Sequence, residues 1–168
     1  GTEGQYPSIK IHNNNKGLGK MSYTLKMHRV FSAPPERVYR AFVHPDALAK
    51  WLAPHGFIAK VEHAEVKPGG SYKTTFTNFS TGTQHHFHGI YHEVIPNQLL
   101  RYTDQFSTPD LQGEIEVTVI FEKVSVGTGL HIIQVGYPDL VPPAVCHLSW
   151  QESFQLLSLL VNPHIPDN

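Results

Sequence analysis

The chain has 168 residues, of which 40% are apolar and 16% are charged, and this predicts one compact domain with a sizeable core. Its net charge of −1 gives no electrostatic reason to expect nucleic acid or an anionic membrane as a partner. No apolar run approaches the roughly 20 residues of a membrane span, no secretory signal is visible, and the single Cys146 excludes an internal disulfide. These features predict a soluble, cytoplasmic protein that binds neither nucleic acid nor membrane.

Residues 1–20 are rich in Gly and Asn and have no sustained periodicity. We interpret them as a leader or a disordered arm, with Met21 as a candidate natural start. No internal repeat and no linker-like composition interrupts residues 21–168, which we therefore expect to form a single domain.

The patterning of residues 21–168 predicts an α+β fold with a curved antiparallel sheet of six to seven strands. An alternating strand comes first, and two short helices follow it, the first of them starting near Pro34-Pro35. The later strands are separated by turns rich in Gly, Pro and Asn. The predicted strands are 23–31, 57–65, 71–79, 84–95, 99–106, 114–123 and 130–135.

The last predicted element is a long helix over 144–161, which contains neither Gly nor Pro. One face of this helix carries apolar residues at helical spacing, namely Cys146, Trp150, Phe154, Leu157 and Val161. Five further residues widen that face in our interpretation, namely Val145, Leu148, Leu156, Leu159 and Leu160. So broad an apolar face predicts that the helix lies across the sheet.

Five stretches carry a family resemblance: APPERVYRAFVHPDALAKWLAPHGF (33–57), KPGGSYKTTFTNF (67–79), GIYHEVIPNQLLRYTDQF (89–106), GT (127–128) and SWQESFQLLSLLV (149–161). In this order they resemble the START-like, or SRPBCC, superfamily, and within it the branch named for activators of heat-shock protein 90 ATPase. The resemblance covers about residues 22–167 and implies a helix-grip fold, in which the curved sheet surrounds the C-terminal helix. Many members of the branch have Gly where this chain has Ser149, so we expect an altered pocket floor.

A curved sheet around a helix encloses an apolar cavity, which is the first candidate for a binding site. Strand alternation and helical spacing direct nine aromatic residues towards that space: Trp51, Phe57, Tyr72, Phe76, Phe87, Tyr91, Tyr102, Trp150 and Phe154. In this interpretation Trp51 and Phe57 lie near the cavity mouth, and tyrosine hydroxyls orient a ligand. The alternative is that these side chains simply fill a solid core.

Two clusters resemble reactive sites without meeting their requirements. His86, His88 and His92 share one strand face, but no Cys or carboxylate lies at ligand spacing beside them, so no metal site is predicted. Cys146 and His147 are adjacent on a helix, where neighbouring side chains do not face each other. A buried and inert thiol is the prediction there.

Glu93, Asp104 and His131 are the weak candidates for an acid or a base, because none has a paired partner in the sequence. No nucleophile motif, phosphate loop or dinucleotide fingerprint is present. We therefore predict no cofactor and assign no catalytic residue.

Three functions stay open, in descending order of preference. The first is a soluble binding protein for a small hydrophobic molecule held between the sheet and the C-terminal helix. The second is a cyclase- or hydrolase-like enzyme that acts on a hydrophobic substrate in the same cavity. The third, implied by the branch name, is a co-chaperone with a chaperone partner, although the sequence has no strongly charged docking face. A monomer or a homodimer suits each of them.

Overall fold

A computed structural model describes residues 9–12, 21–107 and 112–167. Within those residues the chain forms three helices and eight strands. In chain order they are β1 (Ile9–His12), β2 (Met21–Phe31), α1 (Pro35–Val43), α2 (Pro45–Trp51), β3 (Phe57–Ala64), β4 (Ser71–Asn78), β5 (Gln84–Ile95), β6 (Leu99–Ser107), β7 (Gln112–Val124), β8 (Gly127–Pro138) and α3 (Pro143–Val161). The strands form one antiparallel sheet in the order β1-β2-β8-β7-β6-β5-β4-β3.

The predicted α+β helix-grip architecture is confirmed, with seven strands, β2 to β8, inside the predicted domain. The short β1 lies within the segment interpreted as a leader or arm, where it pairs with β2. Four residues between Gly- and Asn-rich stretches are too short for periodicity to predict a strand. The rest of residues 1–20, and part of the predicted loop after β6, lie outside the described residues.

α3 buries a narrower face than the sequence predicts. Its predicted main stripe is correct at Phe154, Leu157 and Val161, which are all buried. The predicted widening of this face is wrong at four residues that are exposed, namely Val145, Leu148, Leu159 and Leu160. The reason is geometric, since a helix on a sheet touches it along one seam and the flanking residues turn towards solvent. No helix in the described part of the chain is long and apolar enough to cross a bilayer.

The solid core lies under the C-terminal half of α3. Buried side chains there come from α3 and from the neighbouring strands β2, β7 and β8, and include Leu25, Phe31, Val119, Leu130, Ile132, Phe154 and Leu157. The end of α3 is held by α1, because the Arg37 Nε–H donates to the Val161 carbonyl at 2.6 Å. A cation on the last carbonyls also suits the helix dipole.

The other half of the sheet lies further from α3, which packs closely on β2, α1 and α2 but makes no comparable contact with β4, β5 or β6. A β-bulge between Tyr91 and Glu93 interrupts the pairing of β5 with β6. Bulges bend a strand and increase its twist. The space between β4–β6 and the N-terminal half of α3 is therefore where a cavity is expected.

Candidate functional site

A cavity of about 420 Å³ occupies this space. The volume is within the range of small-molecule sites. From the helical side it is lined by residues of α3 and the segments around α2, among them Leu48, Leu52, Val145, Cys146, Ser149, Trp150 and Ser153. From the sheet it is lined mainly by aromatic side chains, among them Tyr72, Phe76, Phe87, Tyr91, Tyr102 and Tyr137. The lining is thus largely apolar, with a few polar groups among the rings.

The most distinctive polar group in the lining is Asp104 on β6. The sheet register places Tyr72 on β4 opposite Gly89 on β5, and Gly89 opposite Asp104. Tyr72 and Asp104 are thus two strands, or about 10 Å, apart along the pairing direction. The Tyr72 hydroxyl nevertheless donates a hydrogen bond to the Asp104 carboxyl.

Gly89 makes this contact possible. A Cβ atom on Gly89 would lie 2.6 Å from Cε1 of Tyr72 and 1.9 Å from the Thr103 carbonyl oxygen. Because position 89 carries no side chain, the Tyr72 ring can lie across β5 and reach Asp104. The absence of a side chain at this position of β5 therefore allows a side chain of β4 to bind one of β6.

Two more tyrosines complete the tyrosine cluster, by which we mean Tyr72, Tyr91 and Tyr102. The three ring centroids are 5.6 Å apart in every pair. Such tilted and edge-on contacts are favourable for aromatic rings. All three residues line the cavity beside Asp104. The cluster is therefore a packed aromatic surface of the cavity beside Asp104.

Burial raises the pKa of the Asp104 carboxyl from 3.8 to about 7, although the hydrogen bond from Tyr72 acts in the opposite direction. Burial first, and the charge of Asp104 second, raise the pKa values of Tyr72 and Tyr102 well above the ordinary value. The same causes raise the pKa of Tyr91. The tyrosine hydroxyls thus stay protonated at neutral pH, whereas the Asp104 carboxyl changes its protonation state near neutral pH.

The helix contributes a second polar contact to the lining. The Trp150 Nε1–H donates to the Gln134 side-chain oxygen at 3.1 Å, and Gln134 is buried in β8. On the same helix the Ser153 hydroxyl donates to the Leu52 carbonyl at 2.8 Å, which joins α3 to the end of α2. In the described part of the chain no buried side-chain nitrogen or oxygen lacks a hydrogen-bond partner.

Cys146 lies in the lining beside Tyr23 and Tyr137. The distance between the Tyr23 hydroxyl and the Cys146 sulfur is 4.0 Å. Burial raises the pKa of the thiol, while hydrogen bonds from the two tyrosines act against this shift. Cys146 is thus a neutral thiol at neutral pH, whereas a cysteine nucleophile has to be a thiolate. The predicted burial of this thiol is confirmed.

Seven of the nine predicted site residues line the cavity, namely Phe57, Tyr72, Phe76, Phe87, Tyr91, Tyr102 and Trp150. Trp51 and Phe154 do not, because both are fully buried in the core. The Trp51 Nε1–H donates to the Ala41 carbonyl at 2.9 Å, which turns its indole into α1 and away from the mouth where we expected it. Phe154 packs edge-on against Phe31 of β2. Ligand contact by the seven remains a prediction.

Sequence reasoning did not include Asp104, Gln134 or Tyr137 among the site residues, yet all three line the cavity. Strand alternation contained the signal for Asp104, since it shares the parity of Leu100 and Tyr102 on β6. The sequence predicts Asp104 only as a weak acid candidate at a strand end. Of the other two candidates, Glu93 is exposed and pairs with Arg101, and His131 contacts Glu122 at 3.0 Å.

His86, His88 and His92 all lie on the exposed face of β5. His86 contacts the Thr75 hydroxyl at 3.2 Å, and His92 contacts the Thr103 hydroxyl at 2.5 Å. In the residues that the structure describes, no group of three His, Cys, Asp or Glu side chains is arranged to hold a metal ion.

Solved structures with this fold are numerous. Protein CV1439 from Chromobacterium violaceum is 48% identical, with a TM-score of 0.81 over 84% of this chain and 98% of that chain. A protein from Rhodobacter sphaeroides is 23% identical, with a TM-score of 0.73 over 81% of this chain and 90% of that chain. The AHSA1 protein from Silicibacter pomeroyi is 20% identical, with a TM-score of 0.71 over 81% and 95%. The last two likenesses concern the fold alone.

No curated protein matches the chain at a significant level. The model of one family, described as Activator of Hsp90 ATPase homolog 1-like protein, matches residues 32–162. That range begins just before α1 and ends just after α3. Since the match includes both helical segments and most of the sheet around the cavity, the chain belongs to the family of Activator of Hsp90 ATPase homolog 1-like proteins.

Proposed function

We propose that this protein binds a small hydrophobic molecule in the cavity between α3 and strands β4–β6. The observation that carries the proposal is the cavity itself, about 420 Å³ in volume and lined mainly by apolar and aromatic side chains. Clusters of inward aromatic residues can pack solidly, yet here the rings leave a space suited to a ligand. The family's helix-grip fold is consistent with such a role.

Two variants of α3 test occupation of the cavity. Ser149 lines the cavity, so Ser149→Trp places an indole inside it. Gln151 is exposed on the same helix, so Gln151→Trp is the matched control. We expect the affinity for the neutral fluorescent probe N-phenyl-1-naphthylamine to fall about tenfold or more in Ser149→Trp. We expect it to stay within about twofold of the wild type in Gln151→Trp.

Equal binding of the probe by all three proteins would contradict a site in this cavity. A second, independent measurement is native mass spectrometry of the freshly purified wild type, followed by solvent extraction to identify the class of any bound ligand. A stoichiometric apolar adduct that is absent from Ser149→Trp would support the proposal directly.

Asp104 supports a second candidate, an enzyme that acts on a hydrophobic substrate in the same cavity. A carboxyl with a pKa of about 7 can give or take a proton at neutral pH, which suits general acid–base catalysis. The test is to incubate any extracted ligand with the protein and to follow its conversion. Conversion by the wild type that is lost in Asp104→Asn would favour an enzyme over a carrier.

The family's description suggests a third candidate, activation of the Hsp90 ATPase. No feature of the cavity relates to that activity, so it ranks below the other two. Measurement of Hsp90 ATPase turnover with and without this protein decides it, and we expect no stimulation.

A further inference from the structure

The cavity contains a carboxyl group without a positive partner. Asp104 is the only carboxylate among the described lining residues, and no Lys or Arg lines the cavity. The ion pairs found among the described residues all involve other acidic groups. A buried carboxylate is stabilised by an opposite charge or by several hydrogen bonds, whereas among the described residues Asp104 has one hydrogen bond, from Tyr72, and no cationic partner.

Asp104 also has hydrogen-bonding capacity to spare. An ionised carboxylate has about four acceptor positions on its two oxygens. In the described part of the chain, the Tyr72 hydroxyl is the one donor that meets them. Asp104 keeps part of its surface open to the cavity. A ligand that fills the cavity can therefore donate to this carboxylate.

The aromatic surroundings favour a positive charge at this point. The tyrosine cluster and Tyr137 line the cavity beside Asp104. Ring faces attract ammonium groups through the quadrupole of the π system. An acid ligand would meet the repulsion of Asp104, and a fully apolar ligand would leave the carboxylate with the Tyr72 hydroxyl as its one donor among the described residues. An ammonium group satisfies both the carboxylate and the rings.

We propose that the cavity selects an apolar amine, whose ammonium group binds the Asp104 carboxylate against the tyrosine cluster while its hydrocarbon part fills the rest of the cavity. This inference rests on the proposed function and deepens it by naming the class of ligand. It assigns Asp104 as the residue that determines specificity.

The groups facing Asp104 set the expected pH dependence. They are Tyr72 from β4, Tyr91 from β5, Tyr102 from β6 and Tyr137 from β8, and burial raises the pKa of each. These groups therefore stay neutral between pH 5.5 and 8.5, whereas the Asp104 carboxyl changes charge. The imidazole of His85 also lines the cavity, four residues or about 13 Å along β5 from the position opposite Asp104.

The experiment compares 2-(2-naphthyl)ethylamine with 2-(2-naphthyl)ethanol, which share one apolar body. Their affinities are measured by isothermal titration calorimetry at pH 8.5 and 5.5, where an alkylamine remains protonated. The proteins are the wild type, Asp104→Asn and the matched control Glu116→Gln, which alters an exposed carboxylate of β7. A His85→Gln variant removes the imidazole from the described lining and serves as a second control.

At pH 8.5 we expect the wild type to bind the amine about tenfold or more tightly than the alcohol. At pH 5.5 this preference should shrink to about threefold or less, in His85→Gln as well. Asp104→Asn should lose the preference at pH 8.5 while its affinity for the alcohol stays within about threefold, and Glu116→Gln should behave as the wild type.

Equal binding of the two probes by the wild type at both pH values would overturn the amine assignment while leaving an apolar binding function intact. Tighter binding of the alcohol at pH 5.5, dependent on Asp104, would overturn it in favour of a neutral ligand that accepts a proton from the carboxyl group. Failure of both probes to bind any of the proteins would overturn the proposed function itself, and this assignment with it.

Discussion

Gly89 determines which side chains meet inside the cavity. Its position in β5 lies between Tyr72 of β4 and Asp104 of β6 in the sheet register. A strand interior normally disfavours glycine, because it adds backbone entropy to the unfolded chain and packs no side chain. Here the missing side chain lets the Tyr72 ring cross β5, so Gly89 permits the hydrogen bond between Tyr72 and Asp104.

Gly89→Ala should destabilise the protein by about 1–3 kcal/mol, because the new methyl group overlaps the Tyr72 ring and the Thr103 carbonyl. The measurement is urea unfolding of Gly89→Ala, Tyr72→Phe and the double variant. We expect the two changes to be non-additive, since both remove the hydrogen bond to Asp104. Additive losses, or a loss below about 0.5 kcal/mol for Gly89→Ala, would contradict this account.

At the scale of elements, α3 performs two different tasks along its length. Its C-terminal half closes the core through Phe154 and Leu157, which are fully buried. Its N-terminal half borders the cavity through Ser149 and Trp150. One helix thus supplies both the stability of the domain and one side of the candidate binding site.

Alanine substitutions in the two halves of α3 should have different effects. Phe154→Ala removes a fully buried ring from a solid core and should cost about 3–5 kcal/mol of unfolding free energy. Trp150→Ala removes a ring that already faces open space, and also leaves buried Gln134 without its donor, so we expect about 1–3 kcal/mol. Urea unfolding measures both values, and calorimetric titration with 2-(2-naphthyl)ethanol should show the greater loss of affinity in Trp150→Ala. A larger stability loss in Trp150→Ala than in Phe154→Ala would contradict the assignment of Trp150 to the cavity lining and of Phe154 to the solid core.

For the whole molecule, Asp104 links stability to pH. Its pKa rises from 3.8 to about 7 on folding, so the folded protein binds this proton more tightly than the unfolded chain does. The resulting stabilisation is complete below the unfolded pKa and is lost as the pH rises through about 7. At about 1.4 kcal/mol per pKa unit the full effect has a ceiling of about 4 kcal/mol, and the partial exposure of Asp104 reduces it.

Asp104→Asn should remove this pH dependence. Between pH 5 and pH 8.5 we expect the wild type to lose about 1–3 kcal/mol more unfolding free energy than Asp104→Asn does. Urea unfolding at the two pH values measures the difference, with Glu116→Gln as the control that keeps the slope of the wild type. Parallel curves for the wild type and Asp104→Asn would mean that Asp104 is solvated in the folded protein.

Alternation and helical spacing predicted the order of elements in β2–β8 and the three helices, since these patterns depend on local geometry alone. The same parity directed Tyr72, Tyr91 and Tyr102 inwards. Two predictions from the same patterns were wrong: Trp51 does not lie at the cavity mouth, and four residues predicted on the broad apolar face of α3 are exposed. Those depend on where the indole of Trp51 turns and on how wide the helix–sheet seam is.

The sequence by itself determined the strands, the helices and the inward direction of most aromatic residues, because each follows from the period of a local pattern. The tertiary structure alone decided that Tyr72 meets Asp104 across Gly89, because register brings together residues from three strands that no local pattern relates. It also decided that the inward rings leave a cavity. Sheet curvature sets the distance between β4–β6 and α3, and that distance is a property of the assembled fold.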